Sequence, residues 1–96
     1  MDDLKEEFMA SETMPLIEAF NRLASVDFAM GPEWEAVHDL CQAHEGEQAF
    51  DWGHALCHRI EGDEWNAGYW YRRAGKPVAE GPFTDEWAAM RTGLLA

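Results

Sequence analysis

All four histidines and both cysteines of this chain fall within one stretch, Val37 to Arg59. His54 and His58 stand four residues apart and Glu61 follows three residues later. A helix would project all three from one side. Glu35 and His38 share a helical face in the same way. Imidazole and carboxylate are the donors that hold Zn or Fe, and facing helices supply them in carboxylate–histidine centres. If the chain turns back at Gly46 as a tight antiparallel pair of helices, His38 comes level with His54 and Trp34 with His58. The candidate metal ligands are therefore His38, His54, His58 and a carboxylate, Glu61 or Glu35. A metalloprotease helix would carry Glu directly after its first histidine. Ala55 stands there, which excludes that chemistry. Helix-flank histidines also serve without metal, either solvated or buried with one ring nitrogen bonded to a carbonyl or an acid. Asp39, Asp51 and Glu61 are near enough in sequence for that role.

The two cysteines, Cys41 and Cys57, are too few for a disulfide scaffold and are expected as free thiols of the reducing cytosol. In the same hairpin Cys41 would face residue 51. Six residues of helix, about 9 Å, would separate it from Cys57, so a disulfide is not expected. Both fit as small core residues. Cys57 and His58 are sequence neighbours and diverge by about 100° around a helix, so they form no thiolate–imidazole dyad.

Helices must position these groups. Thr13 and Pro15 signal a helix start, after which Leu16, Phe20 and Leu23 recur at helical spacing. Residues 1–12 form an acidic segment, either a short helix or disordered. Gly31-Pro32 breaks the first helix. A second is predicted over 32–45 on the stripe Trp34, Val37, Leu40 and Cys41. A third runs over 47–61 on Ala49, Trp52, Leu56 and Ile60. Asp63 caps a fourth, whose core residues are Ala67, Trp70, Tyr71 and Ala74, and Gly75 stops it. Residues 76–83 hold Pro77, Gly81 and Pro82 and read as an extended linker. Thr84 then caps a fifth helix, 85–95, with Trp87, Met90 and Leu94 inward. The expected fold is all-α, an antiparallel array of four to five helices in one domain, 13–96.

Gly31-Pro32-Glu33-Trp34-Glu35-Ala36 and Gly62-Asp63-Glu64-Trp65-Asn66-Ala67 align at an offset of 31 residues, and the match extends to Leu40 on Tyr71 and Ala43 on Ala74. That period is close to those of helical-hairpin repeats. The stretch from about His54 to Ala74, with Ala55, Gly62-Asp63, Ala67, Tyr71 and Ala74 in place, resembles a tetratricopeptide-like hairpin. His54-x3-His58-Arg59-x-Glu61-Gly62-Asp63-x2-Asn66-Ala67-x-Tyr69-Trp70-Tyr71-Arg72-Arg73 also resembles a group of short bacterial proteins of unknown function. Both resemblances imply a helical-hairpin fold, and neither implies an activity. The pattern departs from tetratricopeptides in having at most two and a half units, and in Pro77 following the second helix early.

The fourth helix carries aromatics on more than one face. Trp65 and Tyr69 run down to Arg72 and Arg73, a make-up typical of protein interfaces. The net charge is −12, from 19 acids against 7 Lys and Arg, which disfavours nucleic acid and anionic membranes. No apolar run reaches the length of a membrane span, and the acidic N-terminus is unlike a secretory signal. The sequence therefore supports first a cytoplasmic, non-enzymatic interaction module, meeting a protein partner or a second copy through Trp65, Tyr69, Arg72 and Arg73. The alternative is a metal-binding domain or metalloenzyme, with Zn or Fe held by His38, His54, His58 and Glu61.

Overall fold

The computed structural model describes residues 2–95, with side chains placed for residues 13–94. Five helices follow in order: α1 (Asp2–Ser25), α2 (Pro32–Ala43), α3 (Gln48–Glu61), α4 (Glu64–Ala74) and α5 (Phe83–Leu95). Among the described residues there is no strand, and no helix is long and apolar enough to cross a membrane.

Local chemistry explains most boundaries. Asp63 accepts a hydrogen bond from the Asn66 backbone N–H, which satisfies one free donor at the start of α4. Gly62 (φ 85°) and Gly75 (φ 70°) end α3 and α4 in the left-handed conformation, where a Cβ would be strained. The Asp51 side chain accepts the Gly46 N–H at 3.0 Å and closes the α2–α3 turn.

Two helix starts depart from the sequence reading, and α2 ends at Ala43, two residues short of its predicted end. α1 does not begin at Thr13; it is continuous from Asp2, with Pro15 inside it. A proline removes only one donor from the helical ladder. Around it, Leu16, Ile17, Phe20 and Leu23 are all buried, so packing holds the helix through the break. α5 begins at Phe83, because the Pro82 carbonyl already accepts from Asp85 and Glu86; Thr84 lies within the helix instead of capping it.

The main core is built from α1, α2, α3 and α5: Leu16, Phe20, Leu23, Val37, Cys41, Leu56 and Met90 are fully buried. Trp87 stacks on Phe20 at 4.8 Å between ring centroids and docks α5. A second core between α3 and α4 is made of Ala55, Ala67, Trp70 and Tyr71. α3 is thus central. Besides the expected Leu56 it buries Phe50, Asp51, Gly53, His54, Ala55 and Cys57 on several sides. Trp52 and Ile60, expected inward, are only partly buried. At Gly53 a Cβ would stand 2.9 Å from Cys41 Sγ and 3.0 Å from a Phe20 ring carbon, so only glycine allows α1 and α2 to come this close.

Candidate metal centre

α2 supplies His38, and α3 supplies His54 and His58 one turn apart. One ligand nitrogen from each of these three lies within 4.8 Å of the other two. The antiparallel pairing read from Gly46 therefore brings all three histidines together. His38 meets His54 at 4.8 Å and His58 at 5.3 Å between ring centroids, edge-on to both. Each wall of the site is aromatic. Trp34 stacks on His38 at 4.9 Å, its own Nε1 donating to the Cys57 carbonyl at 2.8 Å. Trp70, from α4, stacks on His54 at 3.9 Å with the planes 14° apart. A ring stacked on an indole cannot turn freely, so these tryptophans fix the orientation of two imidazoles.

His54 is the most enclosed of the three, 3% exposed. Burial, with smaller contributions from the neighbouring His58 and His38, lowers its pKa to about 4. At neutral pH it is an uncharged imidazole with a free lone pair. Its Nδ1 is buried and has no hydrogen-bond partner. Leaving a buried polar nitrogen unpaired costs on the order of 1–3 kcal/mol.

Glu61 belongs to the site in a different way from the sequence expectation. Its Oε1 lies 2.6 Å from His58 Nδ1, so the carboxylate accepts the Nδ1 proton and leaves Nε2 as the available donor atom of His58. That is the support that acids give to metal-ligating histidines. Glu35 does not join the three imidazoles. It is exposed and lines a surface cavity of about 460 Å³ together with Met30, Pro32, Trp34, His38 and Asp39. The fourth histidine, His44, lies outside the cluster, stacked on Phe50 at 4.3 Å and bonded to Glu47. Asp51, a candidate histidine partner by sequence, is instead committed to Gly46.

Cys41 and Cys57 are free and buried, but closer than the level-by-level count predicts: the Cys41 thiol is near enough to act on that of Cys57. Side chains tilt toward the N-terminus of their own helix. In an antiparallel pair the tilts of Cys41 and Cys57 converge, and the missing Cβ of Gly53 leaves room for the Cys41 sulfur. Burial, reinforced by the neighbouring Cys41 thiol, pushes the Cys57 thiol well above its ordinary pKa, so it stays protonated.

The proposed interaction residues also cluster. Trp65 is 76% exposed, Tyr69 sits four residues along at 37%, and Arg72 is exposed on the same stripe. Arg73 turns back over Tyr69 and Trp70, its Nη1 donating to the Tyr69 hydroxyl at 3.1 Å.

One buried polar group gave no sequence signal. Glu86, 6% exposed in the first turn of α5, accepts from Tyr71 Oη (2.6 Å), Trp52 Nε1 (3.0 Å) and Arg59 Nη1 (3.0 Å). Arg59 also donates to the Gly81 carbonyl and lies over the Phe83 ring. Burial and the Glu86 hydrogen bond push the Tyr71 phenol upward, so it remains a donor.

No protein-family model matches the chain, and neither a curated protein nor a solved structure does.

Proposed function

We propose that this protein binds a divalent transition-metal ion, Zn²⁺ by preference, through His38, His54 and His58. The convergence of three imidazole nitrogens within 4.8 Å carries this reading. Nitrogen donors about 2.0–2.1 Å from a tetrahedral zinc lie about 3.3 Å apart, so the rings need close by little more than an ångström. Three further features support it. His54 is uncharged at neutral pH, its buried Nδ1 lacks a partner, and Glu61 holds His58 in the tautomer a metal ligand needs. Iron fits less well. A non-haem Fe(II) site takes a carboxylate directly, alongside two histidines, whereas Glu61 is occupied by His58. With ligands on both α2 and α3, the ion would cross-link the hairpin and add its binding energy to the fold.

Titration of tag-free, chelator-treated protein with Zn²⁺ tests the reading. One equivalent is expected to bind. At a hundredfold excess over Kd, binding contributes about 2.7 kcal/mol, which for a domain of this size raises the melting temperature by about 10–20 °C. His38→Ala, at a partly exposed position, removes the shift. Sub-stoichiometric binding, or an unchanged melting temperature, overturns the proposal.

A second reading, self-association through α4, is favoured by the exposed Trp65–Tyr69 stripe. Three of the seven cationic side chains, Arg72, Arg73 and Lys76, cluster beside it on a strongly acidic protein, so the acidic surface of a second copy is a complementary partner. Sedimentation is expected to show a concentration-dependent dimer that Trp65→Ser weakens. A monomer at high concentration removes this reading.

A further inference from the structure

We infer that the metal centre keeps one coordination position for an exchangeable ligand, water or a small neutral or singly charged donor. This rests on the reading of His38, His54 and His58 as ligands. Zinc bound by protein takes four donors, and sites that keep only three protein ligands hold water in the fourth position.

The carboxylates and thiols near the set are bonded elsewhere or stand outside it, Glu35 and Asp39 as exposed side chains. Among the described residues only the three imidazoles share the group. A neighbouring group of His58, Glu61 and Asp63 does not extend it. Glu61 accepts from His58 Nδ1, and both Asp63 oxygens accept from Asn66, through its backbone N–H and its side-chain amide. Asp39 sits 3.6 Å from His38 Nδ1, and its side chain is 71% exposed. Cys57 is fully buried and does not fall within the group. The three-histidine set is therefore complete as a protein contribution and one short of a closed tetrahedron.

The site is also reachable. The His38 and His58 side chains keep 20% and 12% of their surface exposed, and His38 borders the cavity of about 460 Å³. The rim sets which ligands fit. Glu35 and Asp39 line the cavity that His38 borders, and Glu61 and Asp63 stand beside His58, so the surroundings of the site are negatively charged. This compensates a divalent cation held by three neutral imidazoles, and it opposes multiply charged anions such as phosphate. The fourth position thus suits water, which a bound cation makes more acidic, and donors of similar size and low charge.

Cobalt(II) loaded in place of zinc gives a visible spectrum that reports its ligands directly. The loaded protein is expected to show the ligand-field bands of a low-coordinate Co(II). Azide should shift them in a saturable titration, while inorganic phosphate at equal concentration shifts them less. Bands that form fully yet stay unmoved by azide overturn the open position and leave the three-histidine site standing. Failure to form any bands overturns the site and this inference together. Because His54→Ala empties a buried position, His38→Ala serves as the second variant. It should abolish the bands while leaving the helical circular dichroism unchanged, and retention of the bands in a folded His38→Ala protein counts against both readings.

Discussion

Among the described residues, two polar clusters of the interior differ in that one is complete and the other is not. Around Glu86 three donors from α3 and α4 meet two carboxylate oxygens, each at hydrogen-bonding distance. Around His54, one face of the ring is covered by Trp70 and Nδ1 faces nothing that can bond to it. A satisfied buried network rigidifies a fold; an unsatisfied one costs stability unless something else completes it. The contrast separates a polar group that holds the fold together from one that the proposed ion would complete.

Substitution should reproduce that contrast. Glu86→Leu leaves Tyr71, Trp52 and Arg59 without their acceptor, and removing one member of a buried ionic network typically costs about 3–5 kcal/mol. Chemical denaturation should show a loss of that size, and a loss below 1 kcal/mol would mean the network contributes little. Acid should act next, and on the other cluster. In metal-free protein the His54 pKa lies at about 4, below its unfolded value of about 6.5. The unfolded chain therefore takes up the proton first. Stability is full above pH 6.5 and falls by about 3 kcal/mol as the pH drops toward 4. His38 and His58, which face the ring, are already part of the reason that its pKa is low. A denaturation midpoint that stays flat across that range would break the assignment.

Smaller effects sharpen the comparison. His54→Leu removes an unpaired nitrogen instead of a bonded one. Metal-free protein is therefore expected to be unchanged or more stable by about 1 kcal/mol, opposite in sign to Glu86→Leu, while Zn²⁺ binding is lost. Calorimetric melting with and without metal measures both. Trp65→Ser, on the exposed face of α4, should shift stability by no more than about 0.5 kcal/mol, and its effect should appear only in sedimentation.

The helices were legible because their ends carry their own chemistry. Gly62, Asp63 and Gly75 each act locally, and each marks its boundary. The pairing of His38 with His54 was legible too, since a short turn fixes the levels of an antiparallel hairpin. What escaped was set by tertiary contact. Pro15 reads as a start signal until the buried side chains around it carry α1 through. Glu86 looks like any first-turn acid, because its three donors lie 15 to 34 residues away and arrive only after the Lys76–Pro82 segment has folded α5 back. The stacked indoles were visible as apolar residues, but not as the supports of imidazoles. For Cys41 and Cys57, counting levels along the helices ignored the tilt that brings their sulfurs together.

Position 53 governs the proposed metal centre without contributing to it. With hydrogen as its only side chain, this residue lets the backbones of three helices settle at their present separation. Its immediate successor in the chain is His54. An added methyl would push α2 outward and carry His38 away from its two partners. The span between the three imidazoles, and with it the size of ion they would accept, is adjustable from the rear of the site by a single methyl group.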